Sequence, residues 1–291
     1  MSKLSIITVN FNSSSFLKDC LESLQDVVVD GEMEILIYDN GPTDKGLADI
    51  IQKFPTVRLV SSERFISFSA ANNRAADVSS GEYLFFLNPD TVVRSGAVEA
   101  LIQFIKYKTD CGAVGPKLVD AMGQPELSYT PDPGIFSEAY MRILRRLPLG
   151  MQKNLYNTDN TRKVDVIVGA AMMVRASAFK DVGGFDEMFP LYLEDSDLCL
   201  RLRQAGWNIY YYPKAEIIHY RGQSGGIKKS ESTSKLLTSN TFKYRQGQLR
   251  YYAKHKGKLQ NMMLRTYLKW KYRKDRERLR ECLRSELIAE K

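Results

Sequence analysis

The 291-residue sequence has no apolar run near the ~18 residues that a spanning helix requires, and Met1 to Asn10 lack the long apolar core of a signal peptide. Both absences lead to the expectation of a cytoplasmic protein, soluble or peripheral on the inner face of the membrane. Cysteine is sparse: Cys20, Cys111, Cys199 and Cys282 form no CxxC pair, which argues against a zinc ribbon or a disulfide framework and fits a reducing compartment. No internal repeat and no nucleic-acid-binding motif is visible, so the net charge of +8 does not indicate a nucleic-acid partner. No Gly-rich, basic loop follows the first predicted strand, which disfavours a nucleotidyltransferase.

What is present is 44% hydrophobic residues, enough to fill the core of one large α/β domain or two small ones. The charge is unevenly placed. From Lys228 onward there are 19 Lys and Arg against 6 Asp and Glu, a net +13 on a body that carries −5. A basic tail on a mildly acidic body suits an anionic surface.

Hydrophobic patterning predicts strands over Lys3–Asn10, Glu34–Tyr38, Val57–Val60, Tyr83–Leu87 and Cys111–Val119. Helices are expected between them, at Ser13–Val27, Ser69–Val78 and Gly96–Tyr107. That alternation implies an α/β fold with a mainly parallel sheet. Residues 120–163, with Pro125, Pro131, Pro133 and Pro148, read as an irregular excursion. Order returns with Val164–Val174 and its small Gly169-Ala170-Ala171, a helix over Asp195–Ala205, and strands Trp207–Tyr212 and Ala215–Tyr220 separated by Pro213.

Polar residues stand at the carboxyl ends of these strands, where open α/β sheets bind ligands. Asp39 suits the N–H and O–H groups of uracil, thymine or ribose, or forms a turn with Asn40 and Gly41. Asp90, after Asn88 and Pro89, suits a divalent metal carrying a diphosphate, or caps the following helix. Glu194, Asp195 and Asp197 crowd a helix start, where a carboxylate of raised pKa could take a proton from a hydroxyl, or where the acids serve as caps. His219 reads as a metal ligand beside Asp90 or as a satisfied strand residue, and Arg221 with the Gly222–Gly226 loop as an anion cradle or a linker.

Four strings carry a family resemblance: Ser5 to Asn12, Asp39 to Asp44, Phe86 to Asp90, and Gly183 to Glu187 running through Glu194–Cys199 to His219–Ser224. They resemble family 2 inverting glycosyltransferases of the GT-A fold, and within them the bacterial rhamnosyltransferases of cell-surface polysaccharide. The resemblance implies a catalytic domain over residues 1–227, with a nucleotide-sugar half to about 119 and an acceptor half beyond it. Residues 228–291 would be a basic helical extension. It implies that Thr8, Asn10 and Asp39 line the nucleotide pocket, and that Asp90 and His219 hold Mn or Mg, with Asn88 beside them. Asp195 would be the general base, Glu194 and Asp197 its acidic neighbours, and Gly169 and Ala170 would approach the sugar. The donor would be a dTDP-sugar, with a UDP-sugar as the alternative, and the acceptor a glycan or a polyprenyl-diphosphate-linked sugar. A non-catalytic nucleotide-sugar-binding scaffold is the competing class. The chain departs from the family's strings at Pro42 and at Phe65-Ile66-Ser67, near the nucleotide.

In the tail, Tyr251, Tyr252, Tyr267, Trp270 and Tyr272 interleave with basic residues. The segment reads as a membrane-surface helix, or as one packed on the body or on a second subunit of a homo-oligomer.

Overall fold

The computed structural model describes residues 2–41, 44, 46–61, 64–144, 159–220 and 239–284. The chain runs β1 (Ser2–Asn10), α1 (Ser14–Glu22), β2 (Gly31–Asp39), α2 (Leu47–Lys53), β3 (Val57–Ser61), α3 (Phe68–Asp77), β4 (Tyr83–Leu87), β5 (Thr91–Val93), α4 (Ala97–Tyr107), β6 (Cys111–Val119), β7 (Tyr129–Thr130) and α5 (Ile135–Leu144). It continues through β8 (Arg162–Lys163), β9 (Val166–Ile167), β10 (Ala171–Arg175), α6 (Ala176–Asp181), α7 (Glu194–Gln204) and β11 (Asn208–His219). The last helices are α8 (Ser239–His255), α9 (Gly257–Lys271) and α10 (Arg276–Arg284).

The main sheet has the order β3-β2-β1-β4-β10-β6-β11-β5, with β8 added beside β11. Its first four strands are parallel, so the carboxyl ends of β1, β2 and β4 emerge at one edge. Strand β10 is antiparallel to both neighbours, while β6 and β11 are again parallel. Strand β4 is buried throughout because both faces are covered. Phe85 packs into the core containing Leu17 and Leu101, whereas Phe86 turns to the opposite face, against Phe179 and Phe185.

Two stretches of the structure bear most on the departures from the expected elements. Residues 120–163 hold the helix α5 and the two-residue strands β7 and β8, which are too short to show a period. Helix α5 carries its large apolar residues Phe136, Tyr140 and Ile143 outside, while Leu144 is buried. Strand β11 passes through Pro213 instead of breaking there. The register against β6 shifts between Tyr212 and Glu216, so the missing proline N–H falls where the ladder is interrupted.

In the tail, the structure decides between the two readings. Helices α8 to α10 bury Leu249, Tyr251, Tyr252, Leu264, Leu268 and Tyr272 with Phe189 and Leu193 of the body, forming a third core. The basic segment is thus joined to the domain, not detached from it, and three of the five aromatics expected at a surface are interior. The boundary expected at residue 228 lies outside the described residues. Among the described residues no helix is long and apolar enough to cross a membrane.

Candidate active site

Strands β1 and β2 pair so that Asn10 stands opposite Asp39. Thr8 is fully buried, and among the described residues neither its Oγ1 nor Asp39 Oδ1 has a hydrogen-bond partner. Buried polar atoms are nearly always paired, so two such atoms at one sheet edge mark a place for a polar ligand. Burial raises the Asp39 carboxyl above its ordinary value, against the opposing effect of the Gly41 N–H and the Asn10 side chain. Asn10 acts within the loop: its amide donates to Asp44 Oδ2 at 3.1 Å, and its oxygen accepts from Ser13 Oγ at 2.9 Å.

Beside this edge, Asn40 Nδ2 donates to the Ile66 carbonyl at 2.9 Å and its Oδ1 accepts from the Ile66 N–H at 3.0 Å. Phe65, in the string that departs from the family, is thereby held near Phe11, with ring centroids 5.1 Å apart. Both rings are exposed.

The exit of β4 carries Asn88-Pro89-Asp90, and Asp90 is buried. Pairing of β5 with β11 sets Thr91 opposite His219, and the Asp90 carbonyl accepts from the Tyr220 N–H at 2.8 Å. Two residues far apart in sequence are thus brought together, with His219 Nε2 3.7 Å from Asp90 Oδ1. The other ring nitrogen, Nδ1, lies 3.1 Å from Glu126 Oε2. Glu126 is a site residue that sequence reasoning missed. It follows a turn in which Asp120 accepts from the N–H groups of Met122 and Gln124 and Gly123 adopts a positive φ. The Asp120 to Gly123 turn string was the one signal available, and it says nothing of what the turn supports. Arg221 and the Gly222–Gly226 loop, expected to meet phosphates, lie outside the described residues.

Asp195 lies in the first turn of α7. Its Oδ2 accepts from the Gly169 N–H at 3.1 Å, and its Oδ1 from the Ser196 N–H at 2.7 Å. The Ala170 carbonyl next to Gly169 accepts from the Asn88 N–H at 2.9 Å, so backbone bonds connect the acid to the exit of β4. Asn88, Gly169, Glu194 and Asp195 line one pocket together with Val9 and Phe86. Burial raises the carboxyls of both Glu194 and Asp195, and the charge of Asp195 adds to the effect on Glu194. The N–H groups from Gly169 and Ser196 favour the ionised form of Asp195, while Glu194 Oε2 is buried with no hydrogen-bond partner among the described residues. Burial and the neighbouring charge thus favour the protonated form at Glu194, while the N–H groups favour the ionised form at Asp195.

The turn before α7 is strained. Tyr192 and Leu193 have φ of 69° and 70°, a region that costs a non-glycine residue roughly 1–3 kcal/mol. Tail helix α8 presses on this turn at Gly247, where a Cβ would stand 2.7 Å from the Tyr192 carbonyl oxygen.

Asp197 corrects the expectation of a third acid beside the base. Its side chain is fully buried and its oxygens are occupied by Arg201 Nε at 2.6 Å and by Lys254 Nζ and His255 Nε2 at 2.7 Å each. Burial would raise its pKa, but His255, Arg201 and Lys254 together hold it below the usual value. Its place is in the fastening of the tail to α7.

The sequence profile of glycosyl transferase family 2 matches residues 5–183. The chain belongs to glycosyl transferase family 2. A further profile, the N-terminal domain of galactosyltransferase, matches residues 150–223. This family 2 member is 29% identical over 239 residues to N-acetylglucosaminyl-diphospho-decaprenol L-rhamnosyltransferase of Mycobacterium tuberculosis, covering 77% of this chain and 78% of that protein. It is 28% identical over 226 residues to Rhamnosyltransferase WbbL of Escherichia coli K12, covering 74% and 82%. Among solved structures it is similar to GalNAc-T7 with UDP, GalNAc and Mn2+, at a TM-score of 0.63 and 15% identity over 87% of this chain and 48% of that one. It is also similar to the mannosyltransferase PcManGT of Pyrobaculum calidifontis in complex with GDP-Man and Mn2+, at 0.57 and 14% over 87% and 63%. The chain thus spans less than two thirds of either structure. These likenesses bear out the GT-A fold expected from the four strings.

Proposed function

We propose that the protein transfers L-rhamnose from dTDP-rhamnose, with inversion, to a polyprenyl-diphosphate-linked glycan in bacterial O-antigen, capsule or cell-wall synthesis. The observation that carries the reading is Asp195, fixed by two backbone N–H groups in a pocket it shares with Asn88 at the strand exit. The names of the relatives from M. tuberculosis and E. coli support rhamnose and a lipid-linked acceptor.

In this reading Thr8 Oγ1 and Asp39 Oδ1 receive the nucleoside, and Phe11 and Phe65 offer flat apolar walls to its base. Asp195 takes the proton of the acceptor hydroxyl as that oxygen bonds to the anomeric carbon, and the carbon–oxygen bond to the diphosphate breaks on the opposite face. Configuration is therefore inverted, by the geometry that sets base and leaving group on opposite sides of a sugar ring in inverting hydrolysis. Neutral Glu194 keeps a second negative charge away from the base.

Asp90 and His219 would hold Mn or Mg. Among the described residues no three His, Cys, Asp or Glu side chains gather as a metal cage, and oxygens of the donor diphosphate would complete the shell. When bound, the cation offsets the negative charge that grows on the leaving diphosphate. Glu126, at Nδ1, fixes which nitrogen of His219 faces Asp90. Replacing Glu126 by Gln should weaken Mn2+ binding in the presence of dTDP by about 10- to 100-fold in calorimetry. Unchanged Mn2+ affinity would remove Glu126 from this role.

The donor is tested by incubating the protein with Mn2+, a polyprenyl-diphosphate-linked N-acetylglucosamine acceptor and, in parallel, dTDP-rhamnose, UDP-glucose, UDP-galactose or UDP-N-acetylglucosamine. Mass spectrometry should show the acceptor gaining a deoxyhexose from dTDP-rhamnose alone. A product from a UDP-sugar instead establishes the alternative donor, and nucleotide-sugar binding without any product points to a scaffold.

A further inference from the structure

The tail was expected to meet an anionic surface through its aromatic residues, yet the structure buries Tyr251, Tyr252 and Tyr272 against the body. A different apolar surface is left outside. On α5, Phe136, Tyr140 and Ile143 recur at helical spacing, and on α9 so do Leu259, Met263 and Trp270. These six side chains are between 48% and 86% exposed. The two helices are neighbours, since the Arg142 guanidinium lies 4.8 Å from the centre of the Tyr267 ring and Ile135 packs into the core that holds Leu264 and Leu268. Isolated exposed apolar residues need no explanation, but a set shared by two adjacent helices marks an interaction surface.

Charge identifies its partner. Helix α9 carries Lys258, Arg265, Lys269 and Lys271, and no acidic residue occurs anywhere from Ser239 to Lys271. A second copy of the chain docked on this face about a two-fold axis would set these cations against their own counterparts. An anionic bilayer supplies what the face lacks: acyl chains for Phe, Ile, Leu and Met, a headgroup layer for Tyr140 and Trp270, and phosphates for the lysines.

We infer that α5 and α9 together form the surface by which this protein lies on an anionic lipid membrane. The helices lie in the surface plane and do not cross it. Docking there would bring the pocket to a lipid-linked acceptor, and to that extent the inference rests on the function proposed above; lipid binding itself does not.

The full chain should co-sediment with vesicles of phosphatidylglycerol and phosphatidylethanolamine, and at least tenfold more weakly with pure phosphatidylcholine vesicles. The variant combining Phe136→Ser, Ile143→Ser and Trp270→Ser should lose at least tenfold in apparent affinity for the anionic vesicles. Its melting temperature should be unchanged, because all three side chains are already outside. Tyr107→Ser, at an exposed position on α4, serves as the control and should bind as the parent does. Equal vesicle binding by the triple variant and the parent overturns the inference. So does a concentration-dependent dimer in sedimentation equilibrium that the triple variant abolishes, because the face would then be a subunit contact. Transfer to a short-chain, water-soluble acceptor reports on the proposed reaction alone: its absence counts against the reaction, while lipid binding reports on the face.

Discussion

Asp195→Asn is expected to lower the turnover number for transfer by between about 10²- and 10⁴-fold, the contribution of a positioned general base, with donor affinity nearly unchanged. The amide keeps the shape of the side chain but cannot take a proton. Its oxygen can still accept one of the N–H bonds that fix the carboxylate from Gly169 and Ser196. Single-turnover kinetics together with calorimetric donor binding separates the two quantities; a fully active Asp195→Asn enzyme would remove the residue as base. The pH profile supplies a second check. Burial raises both carboxyls of the pair, so activity should fall on acidification at a pH above about 3.9, the value for an unperturbed Asp. Glu194→Gln is the isostere of a protonated Glu and should leave that acid limb where it is, with the base in place; a limb moved to lower pH would mean that Glu194 carries charge beside Asp195.

Asp197→Ala should destabilise the fold by about 3–5 kcal/mol, the cost of removing one partner from a buried ion pair and leaving the others unmatched. The loss has three recipients. Arg201 belongs to α7 itself, and Lys254 and His255 to the tail. Chemical denaturation should show the change in midpoint, and a midpoint equal to the parent's would mean that the Asp197 cluster does not hold the tail. Acid gives the same answer without a mutation. The folded-state pKa of Asp197 is lowered, so its stabilisation is complete above the unfolded value near 3.9 and is lost as the pH falls through the lower folded one.

The parts of the fold that were legible in sequence are those whose environment repeats along the chain. Strand β4 could be read because burial on both faces makes it apolar at every position, and Asp90 followed from its place at that strand's exit. Asp90 and His219 could be paired because a family pattern names both, and the structure brings them within 3.7 Å. Glu126 could not be read, since its meaning depends on a turn whose partner lies 93 residues further on. Helix α5 was overlooked although Phe136, Tyr140 and Ile143 keep a helical period, because Pro125, Pro131, Pro133 and Pro148 around it read as loop. Asp197 looked like its neighbour Asp195, and nothing local distinguishes an acid that faces a pocket from one that faces the tail's cations. The tail stayed open between two readings for a related reason: aromatic and basic residues suit a bilayer and a packed, ion-paired helix equally well, and only the helix faces separate Tyr251 from Trp270.

The fastening of the tail also bears on the order in which the molecule assembles. Lys254 meets Asp197 across 57 residues of sequence, Tyr251 meets Asp132 across 119 and Lys256 meets Asp132 across 124. Loop closure over such separations comes at a large entropic cost before it is rewarded, so these contacts belong late in folding. Strands β1, β2 and β3 pair with their neighbours in sequence, but the left-handed turn at Tyr192 and Leu193 has its outer support only after Gly247 arrives. Refolding followed by secondary structure should therefore run ahead of refolding followed by transfer, and the base would be the last part of the enzyme to become competent.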